Sequence, residues 1–392
     1  MTANFSIITL ALPAMPTCPV TSPANDHAQS ARAVPPWPLL DLVRGGAALL
    51  VMLGHTRGLF FDGIQKLESP GVLTKAFYLL TGLQNEAVVL FFVVSGFLVG
   101  GSVWSSFAEG RFQALPYLIN RFSRIYLVYL PALALTFLLF WLGERWLAGT
   151  RTLTDVPAVG LSTGEMLCHA ANLQGLACGS WAKNPVLWSL GYEWVLYLLA
   201  PLVLGLAHAR IALPWRLIAL LLLAATLATL LPNPGQWGPW FLFWFLGAAA
   251  ARLAARGGLP TPLGLAALAI VAGAMVLSRT RLVDPLATNA AIALCTALAF
   301  AAPRLAKADV AARIFAPLAA FSYSLYLIHS PLGIVLAAAF ERLGLAAAPA
   351  GMTARALICF ALTAAATLAL AWAFGRATES RTGSLRRLIL SR

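Results

Sequence analysis

Charged residues are scarce in this chain of 392 residues: Asp, Glu, Lys and Arg make up only 10% of it, whereas hydrophobic residues make up 60%. A soluble domain carries about 25% charged residues, so this chain has too few to cover a water-facing surface. The deficit extends from about residue 38 to the C-terminus, and the mean hydropathy of the whole chain is +0.81. We therefore predict one membrane domain and exclude a soluble domain with a single anchor.

Cysteine is also scarce and carries no metal signature. None of the five cysteines belongs to a CxxC motif or to a Cys–His pair with zinc-finger spacing, so we expect no metal site. Cys168 and Cys178 fall in one polar loop. Two interpretations of this pair stay open: a disulfide, if the loop faces an oxidising compartment, or two unpaired thiols.

The first 37 residues lack the features of a secretory signal. They contain an apolar stretch, Phe5–Leu12, but no Lys or Arg before Arg32. A signal peptide begins with basic residues and has a longer apolar run. We interpret residues 1–37 as a disordered tail, and an over-long start of the reading frame is the alternative.

Long apolar runs dominate the rest of the chain. Each is roughly 17–23 residues long, enough to cross about 30 Å of hydrocarbon. They predict an all-α bundle of about ten transmembrane helices, at approximately 38–61, 86–104, 125–147, 186–207, 216–231, 239–252, 262–278, 288–303, 314–338 and 353–374. The fifth and sixth spans are short, so the count depends on them. The long connections at about 62–85 and 148–185 are too polar to be buried, and we expect them outside the bundle.

Basic residues determine the expected orientation. The formal net charge is +13, and the Lys and Arg residues lie in short loops. That distribution fits the positive-inside rule and anionic lipid headgroups, whereas it is a poor match for nucleic acid. We predict that both termini are inside, with a transmembrane domain at 38–376 and a basic cytoplasmic tail at 377–392. The same charge could also serve an anionic cosubstrate.

The first predicted helix carries two polar residues on one face. Arg44 and His55 are about three helical turns apart, roughly 16 Å along the axis. An ionised arginine that faces lipid costs several kcal/mol, so this face should point into the protein. Gly45, Gly46 and Ala47 narrow the helix beside Arg44 and allow a close approach. The alternative is that Arg44 anchors the helix at the interface while His55 is a hydrogen-bonded core residue.

A pair of arginines, Arg121 and Arg124, occupies adjacent turns at the expected cytoplasmic entrance. Guanidinium groups bind phosphate through two parallel hydrogen bonds, so this pair could clamp a phosphate. The same residues also fit ordinary topological anchors under the positive-inside rule.

A carboxylate and a second histidine lie inside later spans. Glu193 lies about a turn and a half inside the fourth span, and a carboxylate at that depth needs a partner. His55 lies at a similar depth in the predicted topology. We predict that the two pair, because a carboxylate would orient the imidazole and raise its basicity. In the ninth span, Tyr326 and His329 lie on adjacent turns.

As a set, these motifs resemble the acyltransferase-3 family of bacterial membrane acyltransferases over about residues 38–380. The matching pieces, in order, are Arg44-x10-His55, FFVVSGFL at 91–98, Arg121-x-x-Arg124, WSLGYEWVLYLLAP at 188–201, SYSLYLIHSP at 322–331 and Glu379. Two departures concern the fourth span. Trp194 stands where the family often has a second acid, and Gly191 and Tyr192 stand where it often has Ser and Val.

The resemblance implies an O-acyltransferase of the bacterial inner membrane. Such proteins transfer acetyl or other short acyl groups from acyl-CoA to hydroxyls of surface polysaccharide, lipopolysaccharide or lipid-linked glycan. It implies acyl-CoA, acetyl-CoA above all, as a cosubstrate, no permanently bound cofactor, and membrane lipids as the surroundings. By the same resemblance His55 is the catalytic residue with Arg44 as its motif partner, and Arg121 and Arg124 contact the acyl-CoA. Glu193 joins them as the expected partner of His55.

Two other functions use the same residue types. A transporter or flippase of lipid-linked sugars would also bury Arg, His and Glu, but the inverted repeats typical of such proteins are missing from the sequence. A structural or sensory subunit would use the polar residues only to pack helices. Within the acyltransferase hypothesis, His55 either deprotonates the acceptor hydroxyl or carries the acyl group itself, and both routes stay open.

Overall fold

The computed structural model describes residues 38–156, 162–181, 183–207, 212–230, 234–280, 282–306, 312–346 and 351–390. The predicted tail at 1–37 lies outside these ranges. Within them the regular secondary structure is helical and no strand is formed. The prediction of an all-α fold is therefore confirmed.

The helices follow one another along the chain without intervening strands in the described ranges. In chain order they are α1 (Pro38–Phe60), α2 (Val72–Leu80), α3 (Gln84–Ser95), α4 (Gly101–Ala108), α5 (Ala114–Trp146), α6 (Thr163–Ala170), α7 (Trp188–Leu206), α8 (Leu213–Leu230), α9 (Pro234–Ala255), α10 (Thr261–Leu277), α11 (Pro285–Phe300), α12 (Ala312–Ala319), α13 (Ser322–Arg342), α14 (Ala354–Ala377) and α15 (Thr382–Leu390). Single helical turns also occur at Ile64–Lys66, Arg151–Thr154, Pro185–Leu187, Pro303–Ala306 and Glu379–Arg381.

Seven helical stretches of the described chain are long and apolar enough to cross a membrane. They coincide with seven of the ten predicted spans. At the other three predicted places the chain forms shorter apolar helices, Leu213–Ala224, Thr261–Leu277 and Pro285–Phe300. The multi-pass membrane character follows from these helices, while the count of ten and the orientation stay predictions.

Large apolar side chains cover much of the outer surface of the bundle. Phe137 is 62% exposed on α5, Leu221 is 70% exposed on α8, and Ile358 is 59% exposed on α14. A soluble monomer rarely exposes apolar surface in such continuous stretches. Lipid is the solvent that suits this surface, which is why the sequence needs so few charges.

Glycines bring α3 and α9 into direct backbone contact. A Cβ on Gly96 would lie 1.8 Å from the carbonyl oxygen of Trp244, and one on Gly247 would lie 2.1 Å from that of Val93. No side chain fits at either position, so both residues must be glycine for the helices to approach. Beside this contact, residues Gly96–Gly100 form a π-helical turn that joins α3 to α4.

The first helix, α1, is central to the domain because it packs against α3, α12, α13 and α14. At Gly45 its backbone touches α12, since a Cβ there would lie 2.9 Å from the carbonyl oxygen of Phe315. The expected close approach beside Arg44 is thus present. It places the polar face of α1 against the start of α13.

The expectation that the connection at 148–185 is too polar to be buried is wrong for its second half. Asn172, Gln174 and Asn184 are each 0% exposed. Their amides bond to one another and to helices: Gln174 donates to Asn172 and to the Leu187 carbonyl, and Asn184 donates to the Leu327 carbonyl. Polar side chains can be buried when such partners replace water.

Cys168 and Cys178 form a disulfide that closes this buried segment. The sequence left open a disulfide or two unpaired thiols, and the structure contains the disulfide. The disulfide lies between α6 and the residues that lead into α7. It constrains the segment that inserts Gln174 among the helices.

The predicted basic tail at 377–392 is folded over its described part. Glu379–Arg381 makes a single turn, and α15 then packs against α5. The tail is therefore part of the wall around the N-terminal ends of α1 and α13.

Candidate active site

Two histidines from separate helices meet in the centre of the domain. Nδ1 of His55 on α1 lies 2.8 Å from Nε2 of His329 on α13, and the two rings are within 7° of parallel. His329 is 1% exposed, and its Nδ1 lies 3.0 Å from the carbonyl oxygen of Leu325. The interhelical bond thus fixes the orientation of both rings.

The hydrogen bonds determine which nitrogen carries each proton when both rings are neutral. A carbonyl oxygen only accepts, so His329 must donate from Nδ1 to Leu325. Nε2 of His329 then has a lone pair and accepts the Nδ1 proton of His55. It follows that Nε2 of His55 bears a free lone pair. A neutral imidazole with one nitrogen oriented in this way is suited to act as a base or a nucleophile through the other.

A cavity of about 400 Å³, within the size range of small-molecule sites, reaches Tyr326, whose ring centre is 5.9 Å from that of His329. Neither histidine belongs to the lining of this cavity. Its walls come from α1, α3, α5, α7, α13 and α15. The polar residues in its lining are Arg44, Ser95, Asn120, Arg121, Arg124, Ser189, Glu193, Tyr197, Ser322, Tyr323, Tyr326 and Arg386. The apolar part comes mainly from α3 and the π-helical turn that follows it. Four arginines and one carboxylate give the lining a positive balance that suits an anionic ligand.

Arg44 lies in the cavity wall and not beside the histidines. Its Nη2 donates weakly to Oγ of Ser322, at 3.4 Å, and to the carbonyl oxygen of Ala319, at 3.5 Å. The two acceptors are the last residue of α12 and the first residue of α13. Arg44 and His55 both face inward from α1, as predicted. They lie about three helical turns apart and contact different partners.

Arg121 is held by aromatic rings rather than by a carboxylate. Its guanidinium carbon lies 5.6 Å from the ring centre of Tyr117 and 5.7 Å from that of Tyr197, distances typical of cation–π contacts. Its Nε is buried and has no hydrogen-bond partner among the described residues. The Arg121 guanidinium therefore lacks a full set of protein acceptors, and its side chain lines the cavity.

Arg124 has a carboxylate partner from the C-terminal segment. Nη2 of Arg124 lies 3.4 Å from Oε1 of Glu379, while Oε2 of Glu379 accepts from the backbone N–H and the hydroxyl of Ser324. The Glu379 side chain is only 4% exposed. Glu379 therefore ties α5 to the first turn of α13 at the mouth of the cavity.

The predicted pairing of His55 with Glu193 is wrong. Oε1 of Glu193 accepts a 2.6 Å hydrogen bond from the hydroxyl of Tyr197, one turn along the same helix. The Tyr197 hydroxyl in turn accepts from Ser95 at 3.3 Å. His55 has His329 as its partner, which the depth argument could not foresee because it compared only two of the helices. Glu193 lies in the cavity wall.

Tyr326 connects the cavity with the histidine pair. It lines the cavity, and its ring centre is 5.9 Å from that of His329. Its hydroxyl lies 2.6 Å from that of Ser189, and the ring meets Phe91 edge-on. A ligand that fills the cavity to its inner end would therefore approach the histidines at Tyr326.

Comparison with known families gives one match, and it covers most of the chain. Residues 37–376 match the acyltransferase-3 family, described as an acyltransferase domain. The chain belongs to this acyltransferase family. No curated protein and no solved structure matches the chain. The resemblance seen in the sequence motifs is thereby confirmed, and the protein is a multi-pass membrane acyltransferase.

The contacts of several side chains in the candidate site were not predicted from the sequence. His329 was visible as a buried histidine one turn after Tyr326, yet nothing in the sequence places it against His55. Tyr197 reads as an ordinary apolar residue of α7. Glu379 was part of the resemblance, but its contacts with Arg124 and Ser324 depend on how the last helix packs.

Proposed function

We propose that this acyltransferase moves an acetyl or other short acyl group from acyl-CoA to a hydroxyl of a cell-surface carbohydrate or lipid-linked glycan. The observation that supports this most is the free lone pair on Nε2 of His55, in a histidine pair that Tyr326 separates from a cavity lined by four arginines. The His55 nitrogen suits activation of a hydroxyl, and the arginine-lined cavity suits an anionic donor.

The donor occupies the arginine-lined cavity in this proposal. CoA carries a diphosphate and a ribose phosphate, and guanidinium groups bind phosphate oxygens in a fork. Arg121 and Arg124 provide such groups from adjacent turns of α5, and Arg44 faces them from α1. Arg44 acts on the donor and not on the His55 ring, because about three helical turns separate the two residues.

The acyl group is transferred at His55. In the direct route, Nε2 takes the proton of the acceptor hydroxyl. The hydroxyl oxygen attacks the thioester carbonyl, and CoA leaves as the thiolate. In the covalent route, Nε2 attacks the carbonyl itself and CoA leaves as the thiolate. The acceptor oxygen then attacks the acyl carbonyl, the bond to Nε2 breaks, and the hydroxyl proton passes to the released Nε2. In both routes the His55 ring becomes cationic, and the Nδ1 hydrogen bond to His329 stabilises that charge.

The two routes differ in a species that can be trapped. Rapid acid quenching of the protein with radiolabelled acetyl-CoA, in the absence of acceptor, would retain label on a peptide containing His55 only in the covalent route. The direct route leaves the protein unlabelled, and either result assigns the step.

The proposed orientation places both termini in the cytoplasm of a bacterium, with the protein in the inner membrane. Acyl-CoA is a cytoplasmic metabolite, so the cavity mouth should face inward. The disulfide Cys168–Cys178 suits the opposite, oxidising side. In intact spheroplasts, a membrane-impermeant maleimide added after reduction should label these two cysteines. Labelling only after the membrane is broken would reverse the orientation.

The activity is tested with purified protein in lipid nanodiscs. Acetyl-CoA and an envelope extract from a strain that lacks the gene are added, and free CoA and acetylated glycan are measured by thiol titration and mass spectrometry. We expect the two to rise together with wild-type protein and neither to rise with His55→Ala. Movement of lipid-linked sugar across the bilayer with no loss of thioester would support the flippase alternative.

A further inference from the structure

We propose that Arg386, on the C-terminal helix α15, binds the ribose 3′-phosphate at the nucleotide end of the acyl-CoA donor. This inference rests on the proposed donor site and extends it beyond the segment that the family match covers, which ends at residue 376.

The position of Arg386 is the first reason. It lies in the cavity lining together with Arg44, Arg121 and Arg124, although it comes from a separate segment of the chain. The other three arginines belong to membrane-spanning helices. Arg386 thus adds a cation that the transmembrane helices alone do not supply.

The attachment of α15 holds this cation in place. The helix packs against α5, which carries Arg121 and Arg124. The turn before it is fixed by Glu379, whose carboxylate bonds to Arg124 and to Ser324 on α13. The C-terminal segment is therefore joined to two walls of the cavity mouth and carries its arginine to the rim.

The order of burial indicates which phosphate Arg386 meets. Arg44 and Arg121 are half-buried, whereas Arg386 is exposed, so it is the outermost of these cations. An acyl-CoA whose thioester lies near Tyr326 has its pantetheine arm in the cavity and its adenosine at the mouth. The diphosphate then lies among the inner arginines, and the 3′-phosphate lies at the rim beside Arg386.

The charge balance supports a polyanionic ligand at this mouth. Arg124 contacts Glu379 through Nη2 alone and its side chain is 41% exposed, while Glu193 is engaged by Tyr197. Arg44, Arg121 and Arg386 form no ion pair among the described residues. Cations left without carboxylates around a cavity are suited to phosphates, which make strong charge-assisted hydrogen bonds.

The neighbouring Arg387 is a matched control. It has the same charge, sits on the same helix and is also exposed, but it bonds to Ser384 and does not line the cavity. Arg387→Ala removes the same charge from α15 as Arg386→Ala. A general effect of the positive tail on anionic ligands would appear equally in both variants.

The test measures equilibrium binding of CoA and of 3′-dephospho-CoA to the full-length protein in nanodiscs. We expect Arg386→Ala to weaken CoA binding by about 5- to 10-fold, between the values for exposed and buried charged contacts. We expect it to leave 3′-dephospho-CoA binding unchanged, because that ligand lacks the contact. Arg387→Ala should bind both ligands like the wild type, and Arg386→Lys should recover part of the loss.

The outcomes separate this inference from the proposed function. If wild-type protein binds CoA but Arg386→Ala binds it as tightly as Arg387→Ala does, the Arg386 assignment is wrong and the donor site stands. Equal weakening for CoA and 3′-dephospho-CoA also overturns the assignment, since the contact would not involve the 3′-phosphate. If the wild type binds neither ligand, the acyl-CoA donor and this inference both fail.

Discussion

Arginines lie near both ends of α1, but the protein binds their guanidinium groups much more fully at one end than at the other. The arginine end consists of Arg44, Arg121, Arg124 and Arg386 around the cavity, where one ion pair, with Glu379, occurs among the described residues. The ion-pair end consists of Arg57, Arg279 and the groups that bind them.

At the ion-pair end the guanidinium groups are engaged by the protein itself. Nη2 of Arg279 lies 2.5 Å from Oε1 of Glu86, whose side chain is 3% exposed. Arg57 donates to the carbonyl oxygen of Thr81 and lies over the ring of Tyr78. Arg57 thereby joins α1 to α2, and Arg279 joins the residues after α10 to α3. The cavity arginines Arg44, Arg121 and Arg386 have no carboxylate partner among the described residues, which leaves them available to a ligand. The difference separates structural from binding arginines, and the variants of Arg279 and Arg121 described below test it.

The largest expected effect lies between the two ends, at His55. His55→Ala removes the nitrogen that accepts the proton or the acyl group, so acyl transfer should fall by about 10²- to 10⁴-fold. CoA binding should be unchanged, because the phosphates contact the arginine end. Transfer near the wild-type rate by well-expressed His55→Ala protein would remove His55 from the chemistry.

His329 is expected to act as a positioning residue for His55. His329→Ala leaves Nδ1 of His55 without its acceptor, so kcat should fall by about 10²-fold with little change in KM for acetyl-CoA. Its pH–rate profile should also move, since the His55 ring loses the partner that stabilises its cation. A parallel loss of stability and activity with an unmoved pH profile would assign His329 to packing alone.

At the ion-pair end, the loss should appear as stability. Arg279→Ala leaves the buried Glu86 carboxylate without its partner, which should lower the free energy of unfolding by about 2–4 kcal/mol. The folded fraction should still bind CoA like the wild type. Adding Glu86→Gln should restore part of the stability, because the amide buries no charge. Thermal unfolding in nanodiscs with and without CoA measures both quantities.

At the arginine end, the same substitution should affect the donor instead. Arg121→Ala should raise the KM for acetyl-CoA by roughly 10- to 150-fold, the loss of one charge-assisted contact, with a small change in melting temperature. Arg121→Lys should rescue only in part, because an ammonium lacks the planar fork. Unchanged CoA binding in both variants would make Arg121 a topological anchor.

The smallest effect is expected at Glu193. Glu193→Gln keeps an oxygen that accepts from the Tyr197 hydroxyl, and the carboxylate has no contact with the histidines. Transfer should therefore change by less than about 3-fold, a difference below 1 kcal/mol, and the pH–rate profile should stay in place. A marked shift of that profile would mean that Glu193 does reach His55 during the reaction.

The features that could be predicted from the sequence are those that depend on a single helix. Apolar runs located the spanning helices, and the spacing of Arg44 and His55 identified the inward face of α1. The motif order also led to the correct family. These features follow from helical periodicity and from the properties of lipid as a solvent, so they need no knowledge of how helices neighbour one another.

The parts that depend on helix packing were not predictable. His55 and His329 are brought together by the contact between α1 and α13, and a depth argument assigned His55 to Glu193 instead. The burial of Asn172 and Gln174 was missed because composition alone treats a polar loop as exposed, whereas these amides bond to helix carbonyls. The packing of α15 onto α5 was likewise not predicted, because the sequence analysis treated residues 377–392 as a tail and not as part of the cavity wall.

A cryo-EM structure of the protein in nanodiscs with a non-hydrolysable acyl-CoA analogue tests the proposed site most directly. We predict the phosphates among Arg121, Arg124 and Arg386, and the acyl carbonyl beyond Tyr326, with its carbon within about 3.5 Å of Nε2 of His55. An analogue bound outside the cavity, or with its carbonyl group beside Glu193 and away from both histidines, would contradict the proposed mechanism.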